Sequence, residues 1–204
     1  MASAVDICNL ALSHLGDSAT VSNLSPPDGS SQAEHCARFY PIARDFILEQ
    51  HTWKFATRRI ALAQVANSLT NWQYAYLCPN QCVKEIAVLL PDSLDDTKTQ
   101  DFMVEADSNG NKIIYTNVST AWLRFIIQVT DTTKFSPSVV VSLSLLLASM
   151  LAGPVVKGKA GQALKQSLYS EFKTSLELAK GLDADSKQTG EYRDYVPSTI
   201  AARA

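Results

Sequence analysis

The sequence lacks a strong charge of either sign. Its 18 Lys and Arg residues nearly balance 20 Asp and Glu residues, so the net charge is −2 at pH 7. A protein that binds nucleic acid over a broad surface carries a clearly positive face. The charge balance therefore excludes a general attraction to phosphate and leaves room only for a local basic patch.

The sequence also lacks the short motifs of the common enzyme classes. It contains no G-x-S-x-G, no H-E-x-x-H, no G-x-G-x-x-G and no Walker-type phosphate loop. Its three histidines, His14, His35 and His51, have no nucleophile or carboxylate at a spacing that would indicate a catalytic site. The acidic segment "PDSLDDT" (91–97) is better explained by turn formation than by metal binding. We therefore expect no enzymatic activity, no catalytic residue, no cofactor and no metal.

Cysteine is scarce, with Cys8, Cys36, Cys78 and Cys82 as its only occurrences. The N-terminus has no basic segment followed by a long apolar one, so we expect no signal peptide and reduced thiols. Cys78 and Cys82 are four positions apart, but no second Cys/His pair has the spacing of a zinc site. Cys8 and Cys36 fall at apolar positions of predicted helices, which favours small core residues.

Long apolar runs are lacking as well. The most apolar segment, Val139 to Ala152, is interrupted by Ser142, Ser144 and Ser149. It is shorter than the roughly 20 residues that a membrane-spanning helix needs. The segment predicts a helix buried in a protein core, and no membrane span is expected.

Two helices are predicted in the N-terminal quarter of the chain. The first begins after the N-cap Ser3, has Asp6 in its first turn and stops at Gly16. The second begins with a capping box formed by Ser31 and Glu34 and ends near His51.

Two further helices are predicted near the C-terminus. Ser136 and Pro137 are typical of an N-cap and first helical residue, and Gly153-Pro154 predicts the end of that helix. The next helix is predicted over 159–182. Its apolar positions recur at helical spacing: Leu164, Leu168, Phe172, Leu176, Ala179 and Leu182.

Between the two helical pairs, from 57 to 130, the pattern is that of strands. "WQYAYL" (72–77) alternates aromatic residues with smaller ones. Asn109-Gly110 lies between two strand-like runs and predicts a hairpin with a type I′ turn. We expect a unit of about four to six strands, a normal size for a sheet.

These elements predict an α+β fold that is mainly α. A bundle of about four helices is formed by 1–56 and 132–184, with a β-rich insertion at 57–131 between helices 2 and 3. An extended C-terminal arm follows at 185–204. Large side chains among its polar residues favour a docking arm over a loose tail, although both interpretations stay open: Tyr192, Tyr195, Val196 and Ile200.

The segment "HTWKFATRRIALAQV" (51–65) places aromatic residues beside basic ones. Such interleaving can mark a nucleic-acid surface, or it can mark a helix that leaves the core and enters a strand. Lys54, Arg58 and Arg59 supply too little positive charge for a groove, so we interpret the segment as a structural junction. Trp53 and Phe55 are then expected to lock the helix exit, and the arginines to make salt bridges or subunit contacts.

Several segments, taken in order, carry a resemblance to a known family. The chain resembles the tail tubular protein A, or head-to-tail adaptor, family of short-tailed (podovirus-type) bacteriophages. The likeness covers nearly the whole chain to about residue 182, and no single segment is specific without the others. The segments are "AVDICNLALSHLGD", "AEHCARFYPIARDFILEQHTWKFATRRIALA", "WQYAYLCPNQC", "IYTN", "VTDTTKFSP", "LAGPV" and the closing "PSTIAARA".

The resemblance implies a structural virion protein. Such adaptors form a homo-oligomeric ring, typically twelve-fold, between the portal protein and the tail nozzle protein (tail tubular protein B type). The ring extends the DNA ejection channel, through which genomic DNA passes without specific binding, and in some phages it also carries tail fibres. The expected location is the neck of the virion, after assembly in the host cytoplasm.

The resemblance also implies candidate contact residues. The arm is expected to dock on the portal or on a neighbouring subunit through Tyr192, Tyr195, Val196, Ile200 and Arg203. Arg58 and Arg59 are weaker candidates for contacts between subunits or with the channel lumen. The alternative is a nucleic-acid-binding phage accessory protein that uses the basic residues between positions 54 and 59.

Overall fold

A computed structural model of the chain describes residues 2–18, 20–91 and 98–185. These residues form an α+β fold with helices at both ends and strands between them, as predicted. The acidic segment at 92–97 lies outside the described residues, and so does the predicted arm beyond its first residue.

Four α-helices occur in the described residues: α1 (Ala4–His14), α2 (Ser31–Gln50), α3 (Pro137–Val156) and α4 (Gly158–Asp185). Local capping explains where two of these helices begin. At α1, the Asp6 backbone N–H donates to Ser3 Oγ at 3.1 Å, and Ser3 N–H donates to Asp6 Oδ2 at 2.8 Å. At α3, Ser136 caps the helix and Pro137 is its first residue, as predicted.

Predicted helix boundaries are wrong at α2, at α3 and at α4, which ends at Asp185 rather than at 182. Helix α2 is capped by Ser30 rather than Ser31, because Ser30 Oγ accepts a hydrogen bond from Ala33 N–H and donates one to Asp28. Helix α3 does not stop at Gly153-Pro154 but continues to Val156. The Lys157 N–H still donates to the Gly153 carbonyl at 3.2 Å, which carries the helical pattern past the proline.

Helix α3 is the central helix of the core. Its apolar window has a mean hydropathy of 2.3, and by length and composition alone the helix could cross a membrane. The apolar run of the sequence, Val139 to Ala152, is shorter than the helix that contains it, which has 20 residues, so length alone does not exclude a span. The predicted burial is confirmed, since 61% of the window is buried within the fold.

Helix α4 packs closely along α3. Its stripe is buried as predicted at Leu168, Phe172, Leu176 and Ala179, but Leu182 is 53% exposed. Near its start, a Cβ added at Gly161 would lie only 2.7 Å from the Ala152 carbonyl oxygen. A glycine is therefore needed there for the backbones of α3 and α4 to approach each other.

In the described residues, seven strands form two antiparallel sheets, more strands than the four to six predicted. The three-stranded sheet has the order β1-β7-β4, and the four-stranded sheet has the order β2-β3-β6-β5. The strands are β1 (Thr57–Ala61), β2 (Ala63–Val65), β3 (Tyr74–Leu77), β4 (Cys82–Leu89), β5 (Phe102–Ala106), β6 (Lys112–Thr116) and β7 (Trp122–Ile127).

The hairpin between β5 and β6 exists as predicted, but its turn is of a different type. Ala106 pairs with Lys112, Asp107 N–H donates to the Asn111 carbonyl, and Gly110 N–H donates to the Asp107 carbonyl. Only Gly110 has a positive φ in this loop, whereas a type I′ turn needs two such residues. The loop is a type I turn closed by a glycine bulge.

Separate apolar clusters stabilise the two halves of the chain. The helices share one large cluster that also includes Ile126 of β7. A smaller cluster fills the space between the two sheets, with Tyr76 and Ile114 from one sheet and Leu123 and Phe125 from the other. Polar contacts join the halves, such as Gln128 Nε2 to Asp45 Oδ2 at 2.8 Å.

Candidate interaction surface

The junction between α2 and β1 is locked by Trp53, as the sequence predicted. The indole is fully buried, and its Nε1 donates to the Ile47 carbonyl at 2.8 Å. The ring packs edge-on against His51 at a centroid distance of 4.8 Å and lies 5.9 Å from the ring of Phe55. A short 3-10 turn, Lys54–Ala56, then leads directly into β1.

The last turn of α4 is fixed to this junction. Lys54 N–H donates to Asp183 Oδ1 at 3.3 Å, and His51 Nε2 lies 3.3 Å from Asp183 Oδ2. The Lys54 ammonium donates to the carbonyls of Asp183 and Ala184. Lys54 therefore neutralises the end of a helix, which removes it from the basic patch suggested by the sequence.

Arg58 and Arg59 lie on β1, so the strand interpretation of this segment is the correct one. Side chains alternate along a strand, and the two arginines therefore point to opposite faces. The Arg58 guanidinium donates to the Thr57 carbonyl at 3.0 Å. Both arginines are exposed. Strand β1 is also an edge strand, because no other described strand pairs with its outer side.

Arg124 is a further residue of this surface, and the sequence did not predict it. It lies on β7 directly opposite Arg59 in the antiparallel register. Directly opposite residues share a face of the sheet, and like charges in that position repel one another. The pair places two positive charges side by side on one face of the sheet. Strand register decides this pairing, and no local motif of the sequence could have shown it.

The predicted docking residues Tyr192, Tyr195, Val196, Ile200 and Arg203 lie outside the described residues. The structure does show where the arm begins. Ala184 is held by Lys54, a few residues before Arg58, so the chain leaves α4 beside the start of β1. The predicted arm therefore begins close to Arg58 and Arg59, the other contact residues predicted from the sequence.

The cysteines form two pairs in different surroundings. Cys8 and Cys36 are fully buried between α1 and α2, and their mutual hydrogen bond, together with burial, raises the pKa of the Cys8 thiol. Cys78 and Cys82 flank the turn between β3 and β4, and Glu85 lies next to them. The sequence showed the second pair but gave no sign of its carboxylate partner.

Comparisons with known proteins add no relative to this description: no protein-family profile and no curated protein sequence matches the chain. The resemblance to the adaptor family therefore depends on the ordered segments of the sequence alone.

Proposed function

We propose that this chain is a head-to-tail adaptor of a short-tailed bacteriophage, a ring subunit between the portal and the tail nozzle. The observation that carries the proposal is the ordered resemblance along the chain. Its segments correspond to α1, to α2 with the following junction, to β3, to β6 and to α3. They span both halves of the fold, so the proposal concerns the whole chain.

A ring with head-to-tail contacts requires two different faces on each subunit. The edge strand β1, with its exposed arginines, is one candidate face. The outer side of α4 is a second, since Leu178 is 64% exposed and Leu182, one turn later, is 53% exposed. Apolar side chains of this size favour contact with another protein surface, and in this proposal that surface belongs to a second copy of the chain.

The end of α4, where the arm begins, supports contact in the same region. An extended segment can bind by adding a strand to an exposed sheet edge or by inserting aromatic anchors. In a ring, several weak arms act together because each bound arm raises the effective concentration of the next. The arm begins beside the edge strand β1, and we propose that the arm and β1 contribute to one contact region.

The proposal is tested by size-exclusion chromatography with light scattering, on the chain alone and mixed with the portal ring of its own virus. The full chain is expected to join the portal as one discrete symmetric complex. A variant that lacks 186–204 is expected to keep its circular dichroism spectrum and to lose portal binding. Failure of the full chain to bind the portal at any concentration would contradict the adaptor function.

Two double charge reversals distinguish an effect of the edge strand β1 on assembly from an effect of net charge. Arg58→Glu/Arg59→Glu is expected to weaken ring or portal assembly. Lys159→Glu/Lys165→Glu changes the net charge equally at exposed positions in the first turns of α4, more than ten residues before Leu178 and Leu182, and serves as the matched control. Equal effects of the two double variants would show that net charge, rather than β1, governs assembly.

The same material tests the alternative, a nucleic-acid-binding accessory protein. Such a protein loses DNA affinity steeply with salt, with a slope of about −0.9 per neutralised phosphate. The adaptor is expected to show weak DNA binding that Arg58→Glu/Arg59→Glu barely changes. A steep salt slope that this variant flattens would favour the alternative.

A further inference from the structure

A group of metal-ligating side chains surrounds the turn between β3 and β4. Cys78 Sγ, Cys82 Sγ and a carboxylate oxygen of Glu85 all lie within 4.8 Å of one another. Cys78 Sγ is 3.5 Å from Glu85 Oε1. In a tetrahedral zinc site with Zn–S bonds of about 2.3 Å, two sulfur ligands are about 3.8 Å apart. The three side chains therefore reach zinc geometry with shifts of about 1 Å.

An irregularity in β4 brings these side chains together. Residues 82 and 85 are separated by an odd number of positions, so a regular strand would point them to opposite faces. In this structure Cys82 pairs with Ile127 and Lys84 pairs with Ile126, so β4 contains one extra residue between them. The bulge turns Cys82 and Glu85 to the same side.

The charges of the surroundings suit a dithiolate–carboxylate site. Two thiolates and one carboxylate around a divalent cation have a net charge of −1, which the neighbouring ammonium of Lys112 balances. Lys112 Nζ lies 3.0 Å from Glu85 Oε1, and the Glu85 side chain is 16% exposed. Cys78 Sγ and Lys112 Nζ both contact the same oxygen, Glu85 Oε1. Because a carboxylate has two oxygens, a rotation of the Glu85 carboxylate lets one oxygen bind a metal while the other keeps Lys112.

Access from solvent is available on the side of the hairpin. A cleft of about 370 Å³ opens beside the two thiols. It is lined by the β3–β4 turn, with Cys78, Cys82 and Pro79, and by Gly110 and Lys112 of the β5–β6 hairpin. A metal held by three protein ligands would have its fourth position on this open side, where water completes a tetrahedron.

We propose that Cys78, Cys82 and Glu85 bind a soft divalent transition-metal ion, best matched by Zn²⁺, at the β3–β4 turn. Thiolate ligands select Zn²⁺ over Mg²⁺ and Ca²⁺, which prefer oxygen. Binding displaces the thiol protons into solvent and joins the end of β3 to the start of β4. Through the Glu85–Lys112 ion pair the metal also links this turn to the β5–β6 hairpin. This inference does not depend on the adaptor function.

The test uses the full reduced chain and Co²⁺ as a spectroscopic probe, followed by displacement with Zn²⁺. One Co²⁺ per chain is expected, with thiolate-to-metal charge-transfer bands and the strong visible bands of a tetrahedral site. Cys82→Ser is expected to abolish the thiolate bands of the pair. Glu85→Gln, which preserves the side-chain shape, is expected to weaken Co²⁺ binding at least about tenfold. Loss of a group that only orients metal ligands already weakens metal binding by about this factor.

The other thiol pair supplies the matched control. Cys8→Ala removes one thiol from a pair that is also in mutual contact but fully buried, and it is expected to leave Co²⁺ binding unchanged. The proposal is overturned if the reduced chain gives no thiolate bands, or if the bands survive Cys82→Ser. It is also overturned if Cys8→Ala and Cys82→Ser weaken binding equally. If the reduced chain binds no metal but forms a Cys78–Cys82 disulfide in air, the pair belongs to redox chemistry instead.

Discussion

The helical and the strand regions of this molecule are stabilised in different ways. The helices bury one large apolar cluster around α3, whereas the strands are short and divide their apolar residues between a cluster inside the two sheets and a small one outside. The strand region in turn exposes an arginine-bearing edge and holds a largely buried group of two thiols and a carboxylate. The comparison indicates that the helices supply most of the stability and the strands most of the chemically distinctive surface.

The largest expected effect is the loss of Trp53. Trp53→Ala removes a fully buried indole from the helical cluster and should lower the free energy of unfolding by about 3–5 kcal/mol. The comparison variant is Trp122→Ala in β7, where the side chain is only half-buried and the expected loss is about 1–2 kcal/mol. Urea unfolding measures both. Equal losses would remove the stability difference between the two regions.

A pH-dependent loss of stability is expected from Tyr40 in the helical cluster. Burial raises the pKa of Tyr40 to about 12 from an ordinary value of 10.0, against an opposite effect of Arg44. Between these values the unfolded chain loses the phenol proton while the folded chain keeps it, so stability falls as the pH rises from about 10 to about 12. The loss is about 2–3 kcal/mol. Urea midpoints across this range should fall less in Tyr40→Phe than in the wild type, and identical slopes would contradict the assignment.

Gly161 tests how tightly the two core helices pack. Gly161→Ala places a methyl group 2.7 Å from a backbone oxygen of α3 and should cost about 1–3 kcal/mol by overpacking. Gly181→Ala, on the same helix but with no atom within 4 Å of the new methyl, is the matched control. It should stabilise the helix by about 0.5–1 kcal/mol. Thermal unfolding distinguishes the two, and a stabilising Gly161→Ala would show that the helices can move apart freely.

The smallest expected effects compare two buried tyrosines. In the sheets, Tyr76 donates to the Val118 carbonyl at 2.8 Å, so Tyr76→Phe should cost about 1 kcal/mol. In α2, the Tyr40 hydroxyl is buried without a hydrogen-bond partner among the described residues. Tyr40→Phe at pH 7 should therefore be neutral or slightly stabilising. Equal losses in urea unfolding would mean that the Tyr40 hydroxyl makes a hydrogen bond in solution.

Local signals allowed most of the helical region to be predicted from sequence. The Ser3–Asp6 capping box and the Ser136–Pro137 start are complete within a few residues, so tertiary contacts had little to change. The errors arose where two neighbours compete, as when Asp28 selects Ser30 over Ser31 as the cap. They also arose where packing extends a helix past Pro154.

The strand region was less predictable because its decisive features are not local. The hairpin was found, but its turn type depends on whether Asn109 adopts a positive φ together with Gly110, and only Gly110 does. Arg124 meets Arg59 only through strand register, and Glu85 meets Cys82 only through a bulge. For the same reason the sequence located Arg58, Arg59 and the thiol pair but not their partners.

The attachment of α4 to the α2–β1 junction has a mechanical consequence. Tension applied to the chain beyond Asp185 reaches the body of the subunit at Asp183 and Ala184, which are held by Lys54. The preceding residue, Trp53, is buried and donates a hydrogen bond to the backbone of α2. A load on the C-terminal segment is therefore transmitted across to the N-terminal helices and into β1, instead of peeling α4 away from α3 one turn at a time.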